Sequence, residues 1–196
     1  MTATLEPATE TLIKPHRFNV DEFQKMFEHG IVSRRSQLIR GEIYFMAAMG
    51  AAHANAIAIL TELLVQRYSK HARVSPQCPI VIWNDSEPEP DFALIKRNAK
   101  RGLAQAEDVL LAIEVSDSTL KFDREKKLPD YARSSIPETW ILNLNEAQLE
   151  VYTQPEGEQY LKMQIFKPEM PVAPLFAPEV MLEWWQALEQ PENSMS

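Results

Sequence analysis

Between Glu87 and Lys127 the chain carries two carboxylates in positions where a metal ion can use them. Asp91 follows an acidic Glu-Pro-Glu-Pro turn and opens a short apolar run, Phe-Ala-Leu-Ile, while Glu114 nearly closes a second run, Val109 to Val115. Carboxylates at the ends of adjacent strands converge at one edge of a sheet, where a divalent cation offsets their repulsion. Asp91, Glu114 and the backbone carbonyl of Val115 are the candidate metal ligands. Mg²⁺ suits such a sparse set, since it takes few carboxylates and keeps waters and substrate phosphate in its octahedron; Mn²⁺ is the other choice. Lys127 on the next helix is the candidate cation, able to hold an attacking water or to offset charge in a pentavalent transition state.

Each of these residues also has a plainer reading. Asp91 after two prolines is an ordinary turn acid. Glu114 at the end of a buried strand needs a partner of some kind, and a salt bridge to Lys127 would serve without any metal. Asp123 and Lys127 are four apart, the spacing of a surface helix pair contributing about 0.3 kcal/mol. His53 shares a face with Ile57, Leu60 and Leu64 and reads first as a packed core histidine, with a ligand or base as the alternative. Tyr131, one turn beyond Lys127, reads as packed with its hydroxyl near the site. Trp83, Trp140, Trp184 and Trp185 read as core or interface aromatics. The basic cluster Lys96 to Arg101 reads as a solvated loop before a phosphate contact.

The elements that must position these groups follow from periodicity and punctuation. Asn19 caps a helix with Val20, Phe23, Met26 and Phe27 on one face and Gly30 as its stop. Ser36 to Met46 reads as a tight hairpin turning at Arg40-Gly41. A long core helix spans about Ala51 to His71. Val74 to Trp83, interrupted by Pro76 and Pro79, reads as an edge or bulged strand. Phe92 to Ile95 is a strand, Lys96 to Asp108 a polar mobile loop, and Val109 to Val115 a strand covered on both faces. Leu120 to Ser134 is a helix that Pro129 delays or kinks. Glu138 to Leu144 is another buried strand, Gln148 to Thr153 and Gln159 to Phe166 form an antiparallel pair, and a short final helix docks Trp184 and Trp185. The order helix, three strands, helix, strand predicts an α/β or α+β sandwich around a mixed sheet flanked by helices.

Composition narrows the function. The 196 residues are 45% hydrophobic and 24% charged, as in an ordinary globular protein, with one domain expected over residues 17–190, a loose leader over 1–16 and a tail over 191–196. The leader lacks an apolar segment, no run approaches the ~20 residues of a membrane span, and the single Cys78 fits a reducing compartment, so a cytoplasmic protein is expected. The net charge of −8 runs against extensive phosphate neutralisation, though basic residues cluster at Arg34-Arg35, Lys96 to Arg101 and Lys121 to Lys127. No phosphate loop, zinc cluster or serine elbow is present in the sequence.

From Phe18 to Tyr152 the chain resembles the PD-(D/E)XK nuclease superfamily, and within it the bacterial family labelled "putative restriction endonuclease". The resemblance rests on Gly41-Glu42-Ile43, Gly50 with His53, Pro90-Asp91-Phe92-Ala93, Ala112-Ile113-Glu114-Val115-Ser116, and Asp123, Lys127, Leu128 and Tyr131 leading to Pro137-Glu138-Thr139-Trp140-Ile141. It implies a restriction-endonuclease-like αβββαβ core, Asp91 and Glu114 as metal ligands, and Glu42 as a further acid near the metal. On its own residues, Glu42 is equally a solvated hairpin side chain. Where the superfamily has a lysine two residues after the second acid this chain has Ser116, and Lys127 on the following helix is the replacement. The expected activity is Mg²⁺-dependent hydrolysis of phosphodiesters in DNA by an endonuclease, as a homodimer because cutting two strands takes two sites. The competing readings are a catalytically inactive nuclease-fold module binding nucleic acid or protein, and a hydrolase of small phosphorylated molecules, marked by a closed pocket too narrow for a duplex.

Overall fold

A computed structural model describes residues 14–33, 35–46 and 48–188. Most of the expected leader and the whole expected tail lie outside them. At the near end of the leader, His16 packs edge-on against Phe18 and hydrogen-bonds Glu22.

Helix α1, Val20–Glu28, starts at a reciprocal cap: Asn19 Oδ1 accepts from the Glu22 N–H, and Glu22 accepts from the Asn19 N–H. Strands β1, Ser36–Ile39, and β2, Glu42–Phe45, form the expected hairpin, with Arg40 and Gly41 both at positive φ as a two-residue primed turn requires. A Cβ on Gly41 would come within 2.7 Å of the Arg17 Cβ, so glycine is needed there for space as well as for conformation.

Helix α2, Ala51–Tyr68, lies against a six-stranded sheet ordered β10-β9-β8-β7-β5-β3. Its strands are β3 Ala72–Pro76, β5 Phe92–Lys96, β7 Val109–Ser116, β8 Glu138–Asn143, β9 Gln148–Glu156 and β10 Gln159–Phe166. Only β7 and β8 pair parallel; the other neighbours are antiparallel. A parallel neighbour demands a crossover, and residues 117–137 supply it with helices α3, Leu120–Phe122, and α4, Leu128–Arg133. This is the α-βββ-α-β order read from the sequence.

Strand β7 is covered on both faces. Leu111, Ile113 and Val115 join the core under α2 with Leu60, Leu64, Tyr68 and Trp140, while Ala112 packs on the other side with Ala93, Tyr131 and Ile136. Glu114 and Ser116 share the Ala112 parity, so their side chains face the crossover helix. The C-terminal segment closes the α2 side: Trp184 in the 3₁₀ turn Trp184–Leu188 is buried and its Nε1 donates to the Met170 carbonyl.

Three expectations change. The edge stretch from Val74 to Trp83 is two strands: β3 stops at Pro76, and β4, Ile80–Val81, pairs parallel with β6, Ala104–Gln105. That pairing also gives regular structure to the end of the segment read as a mobile loop, since β6 is followed by a 3₁₀ turn, Ala106–Asp108. Trp83 is neither core nor buried; it is exposed at positive φ with the Arg133 guanidinium over its ring.

Candidate active site

Antiparallel pairing sets Phe92 opposite Ile113, so Asp91, one residue before β5, continues the register opposite Glu114. The Asp91 carbonyl turns away to accept from the Gln77 N–H at 2.9 Å, on the β3 side. Asp91 and Glu114 therefore form a pair without ladder bonds between them, the kind in which facing side chains stand closest. The Asp91 carboxylate accepts at Oδ2 from the Val115 N–H, 2.7 Å, and at Oδ1 meets His53 Nε2, 3.0 Å. A strand residue turns its N–H and C=O to the same edge, so the Val115 carbonyl also faces the Asp91 side. Ser116 shows the alternation, its carbonyl accepting from the Leu144 N–H beyond β8.

Glu114 is 2% exposed and Lys127 5%. The Lys127 Nζ donates to Glu114 Oε2 at 2.8 Å and to the Glu89 carbonyl at 3.0 Å, and lies 3.7 Å from Asp123 Oδ1. Tyr131 donates its hydroxyl to the other oxygen, Glu114 Oε1, at 2.5 Å. Burial pushes the Glu114 carboxyl up to about 8, with Asp123 and Asp91 adding repulsion and Lys127 opposing them. Burial alone would lower Lys127, but Glu114, Asp123 and Asp91 around it outweigh that and raise it, so the ammonium stays charged. Asp123 is not a surface partner: it is buried and accepts at Oδ2 from the Ser116 and Thr119 hydroxyls, at 2.8 and 2.7 Å. Ser116 thus supports the carboxylate that flanks Lys127.

The crossover helix achieves this with one wide turn. Residues Asp123–Lys127 are π-helical, and the Leu128 N–H reaches back five residues to the Asp123 carbonyl. Pro129 has no N–H to give, and in a regular helix its ring collides with the carbonyl four residues back; the wide turn relieves both demands. Side chains four apart drift about 40° around a regular helix, and a turn holding an extra residue winds back against that drift. Asp123, Lys127 and Tyr131 consequently face the sheet in line, while Lys126 lies 6.0 Å over the Tyr44 ring.

His53 is displaced from its expected place in the core. It sits in the first turn of α2, where the stripe of Ile57, Leu60 and Leu64 runs out of the core and into a cleft of about 560 Å³ beside Asp91. Its pKa is raised, first by the hydrogen bond to Asp91. Glu42 does not line this cleft; it is exposed on the hairpin, held by Arg17 at 3.0 Å and by the Tyr44 hydroxyl at 2.5 Å. The basic loop does not line the cleft; in it Lys96 donates to the Glu107 carbonyl and Arg97 to that of Ser69. The Glu89 carbonyl and the aromatic wall of Tyr44, Phe45 and Phe122 are parts of the cleft the sequence reading missed. Nothing in residue type separates an aromatic that lines a cleft from one that fills a core.

Among the described residues no three His, Cys, Asp or Glu side chains gather as a metal cluster. The fold is similar to that of a crystal structure from Anabaena variabilis described as a putative nuclease belonging to DUF820. The TM-score is 0.68 at 17% identity, covering 88% of this chain and 99% of that one. A search of the curated proteins finds no match. The profile of Uma2, described as "Putative restriction endonuclease", matches residues 20–184, a span that takes in the hairpin, the paired acids and the crossover lysine alike. The chain belongs to the Uma2 family of restriction-endonuclease-like proteins.

Proposed function

We propose that this protein is a Mg²⁺- or Mn²⁺-dependent endonuclease that hydrolyses phosphodiester bonds in DNA. The observation carrying this reading is the apposition of Asp91, just before β5, and Glu114, near the end of β7, with a buried lysine bonded beside them. Two carboxylates and the Val115 carbonyl fall short of an all-protein cage, yet they suit an ion that retains several waters and binds through one or two carboxylates. Bound there, the ion would supply a water of lowered pKa and positive charge for the departing oxygen.

The chain's own residues have distinct parts in this reading. Asp91, oriented by the Val115 N–H and His53, presents its remaining lone pairs to the cleft. Tyr131 and Lys127 fix the two oxygens of Glu114 and set the carboxylate plane. Lys127, whose pKa the surrounding carboxylates raise against its burial, is placed to hold the attacking water or to stabilise charge on the phosphoryl oxygens. Glu42 enters only as an outlying acid of the hairpin. Cutting both strands of a duplex would take a homodimer with two such sites.

A second reading is favoured by one observation: all four carboxylate oxygens of Asp91 and Glu114 already have protein partners. On that reading the protein is a nuclease-fold binding module with no metal. Calorimetric titration of the wild type, Asp91→Ala and Glu114→Ala with MgCl₂ or MnCl₂, with plasmid cleavage followed in the same samples, separates the two. Metal binding and cleavage that disappear together in both variants support the endonuclease. A wild type that binds neither ion at millimolar concentration and leaves plasmid intact removes its basis and leaves the binding module.

A further inference from the structure

The wall opposite the acids is apolar and aromatic. Tyr44 and Phe122 pack edge to face at 5.0 Å, the Tyr44 ring is anchored through its hydroxyl to Glu42, and Phe45 and Met49 at the mouth are 72% and 44% exposed. Aromatic surface left in water at the rim of a polar site is an unused stacking platform. The charge balance argues the same way. Five carboxylates line the cleft against two cations, Arg35 and Lys127, and Lys127 is already bound to Glu114 and Glu89. The lining therefore offers little positive charge for phosphates of either a duplex or a single strand, and the aromatic wall, which only an unpaired base can stack on, is left as the larger attraction. Size agrees: about 560 Å³ lies within the range of pockets that hold one small molecule, room enough for a nucleotide.

Resting on the endonuclease reading, we infer that the cleft takes one unpaired nucleotide, its base stacked against Phe45 and the Tyr44–Phe122 pair and its phosphate toward Asp91 and Glu114. The substrate is then single-stranded or locally unpaired DNA rather than continuous duplex.

The test is fluorescence anisotropy in CaCl₂, a divalent ion offered in place of Mg²⁺ so that binding is read without cleavage, using a labelled 12-nucleotide single strand, the matching duplex and a mononucleotide competitor. The wild type should bind the single strand at least tenfold more tightly than the duplex. Phe45→Ala and Phe45→Leu should each weaken single-strand binding about tenfold, and Phe45→Trp should retain it, with quenching of the added indole on binding; Phe45 is exposed, so all three should fold. Equal affinity for both forms, loss within twofold in Phe45→Ala, or Phe45→Leu matching the wild type would overturn stacking. A mononucleotide competing as well as the 12-mer would overturn the strand in favour of a small phosphorylated ligand. Cleavage separates this inference from the reading beneath it. Duplex cut with no effect at Phe45 defeats the inference alone, while stacking-dependent binding with no cleavage in either metal defeats the endonuclease alone.

Discussion

Replacing Lys127 with methionine keeps most of the stem and removes the charge at the centre of the site. The ammonium lost is bonded to Glu114 Oε2 and the Glu89 carbonyl and sits beside Asp123. Glu114 would be left almost fully buried with Tyr131 as its one remaining donor among the contacts described. At pH 8.5, where Glu114 is ionised beside Lys127, breaking the buried pair from one side costs about 3–5 kcal/mol, because the surviving carboxyl must stay charged without its partner or take up a proton. For a chain of this length each kcal/mol moves the melting temperature by about 2–4 °C, so a fall of roughly 6–20 °C is expected. The deficit should depend on pH. A carboxyl whose folded pKa is raised above its ordinary 4.5 favours the fold below that value and loses the benefit as pH climbs towards about 8. Without Lys127 the Glu114 carboxyl is pushed higher still, so the variant should lag the wild type more at pH 8.5 than at pH 5. Adding Glu114→Gln to Lys127→Met removes the stranded charge and should recover about 1–3 kcal/mol of the summed cost. Urea unfolding followed by the fluorescence of buried Trp140 and Trp184 measures all four members of the cycle. A Lys127→Met variant within 1 kcal/mol of the wild type, or single costs that simply add, would refute the buried-pair account.

Two further substitutions probe the scaffold. Gly41→Ala should destabilise the fold by more than the ~1 kcal/mol of a left-handed alanine, because its Cβ also strikes Arg17; thermal unfolding reads the loss, and a melting temperature equal to the wild type's would count against the hairpin seating. Glu150 is buried, yet bonds from Arg124, Tyr152 and Gln148 outweigh its desolvation and hold its pKa below the ordinary 4.5. Its contribution is present above that value and lost as pH falls through the folded pKa, so Glu150→Gln should be less stable at pH 7 and show a flatter acid limb between pH 5 and 3.

The fold was legible where a segment carries its own pattern. The continuous apolar run of β7, covered on both faces, and the helical spacing in α1 follow from burial, whereas β10 was readable from alternation alone, its Leu161, Met163 and Ile165 standing exposed. The β4–β6 pair was not legible. Two-residue strands more than twenty positions apart leave no periodicity to read, and the loop they order looks merely polar. In the site, the residue types and strand positions of Asp91 and Glu114 were readable, and so was the helix carrying Lys127. The burial of Asp123, the turning of His53 into the cleft and the seating of Glu42 outside it were not, because each depends on where two distant segments meet.

The π turn makes the active-site helix a device with two settings. Excising one residue from 123–127 would close a regular helix and leave the flanks close to their present orientation, because the wide turn sweeps with five residues about the angle a regular turn sweeps with four. Which side chain stands beside the acids then depends on which residue is excised: removing Lys127 brings Lys126 to the position before Leu128 without any substitution. A single codon gained or lost in this crossover therefore moves a charge between the chemistry and the rim, so a functional group can change its address along the chain by insertion where point replacement would need two steps at once.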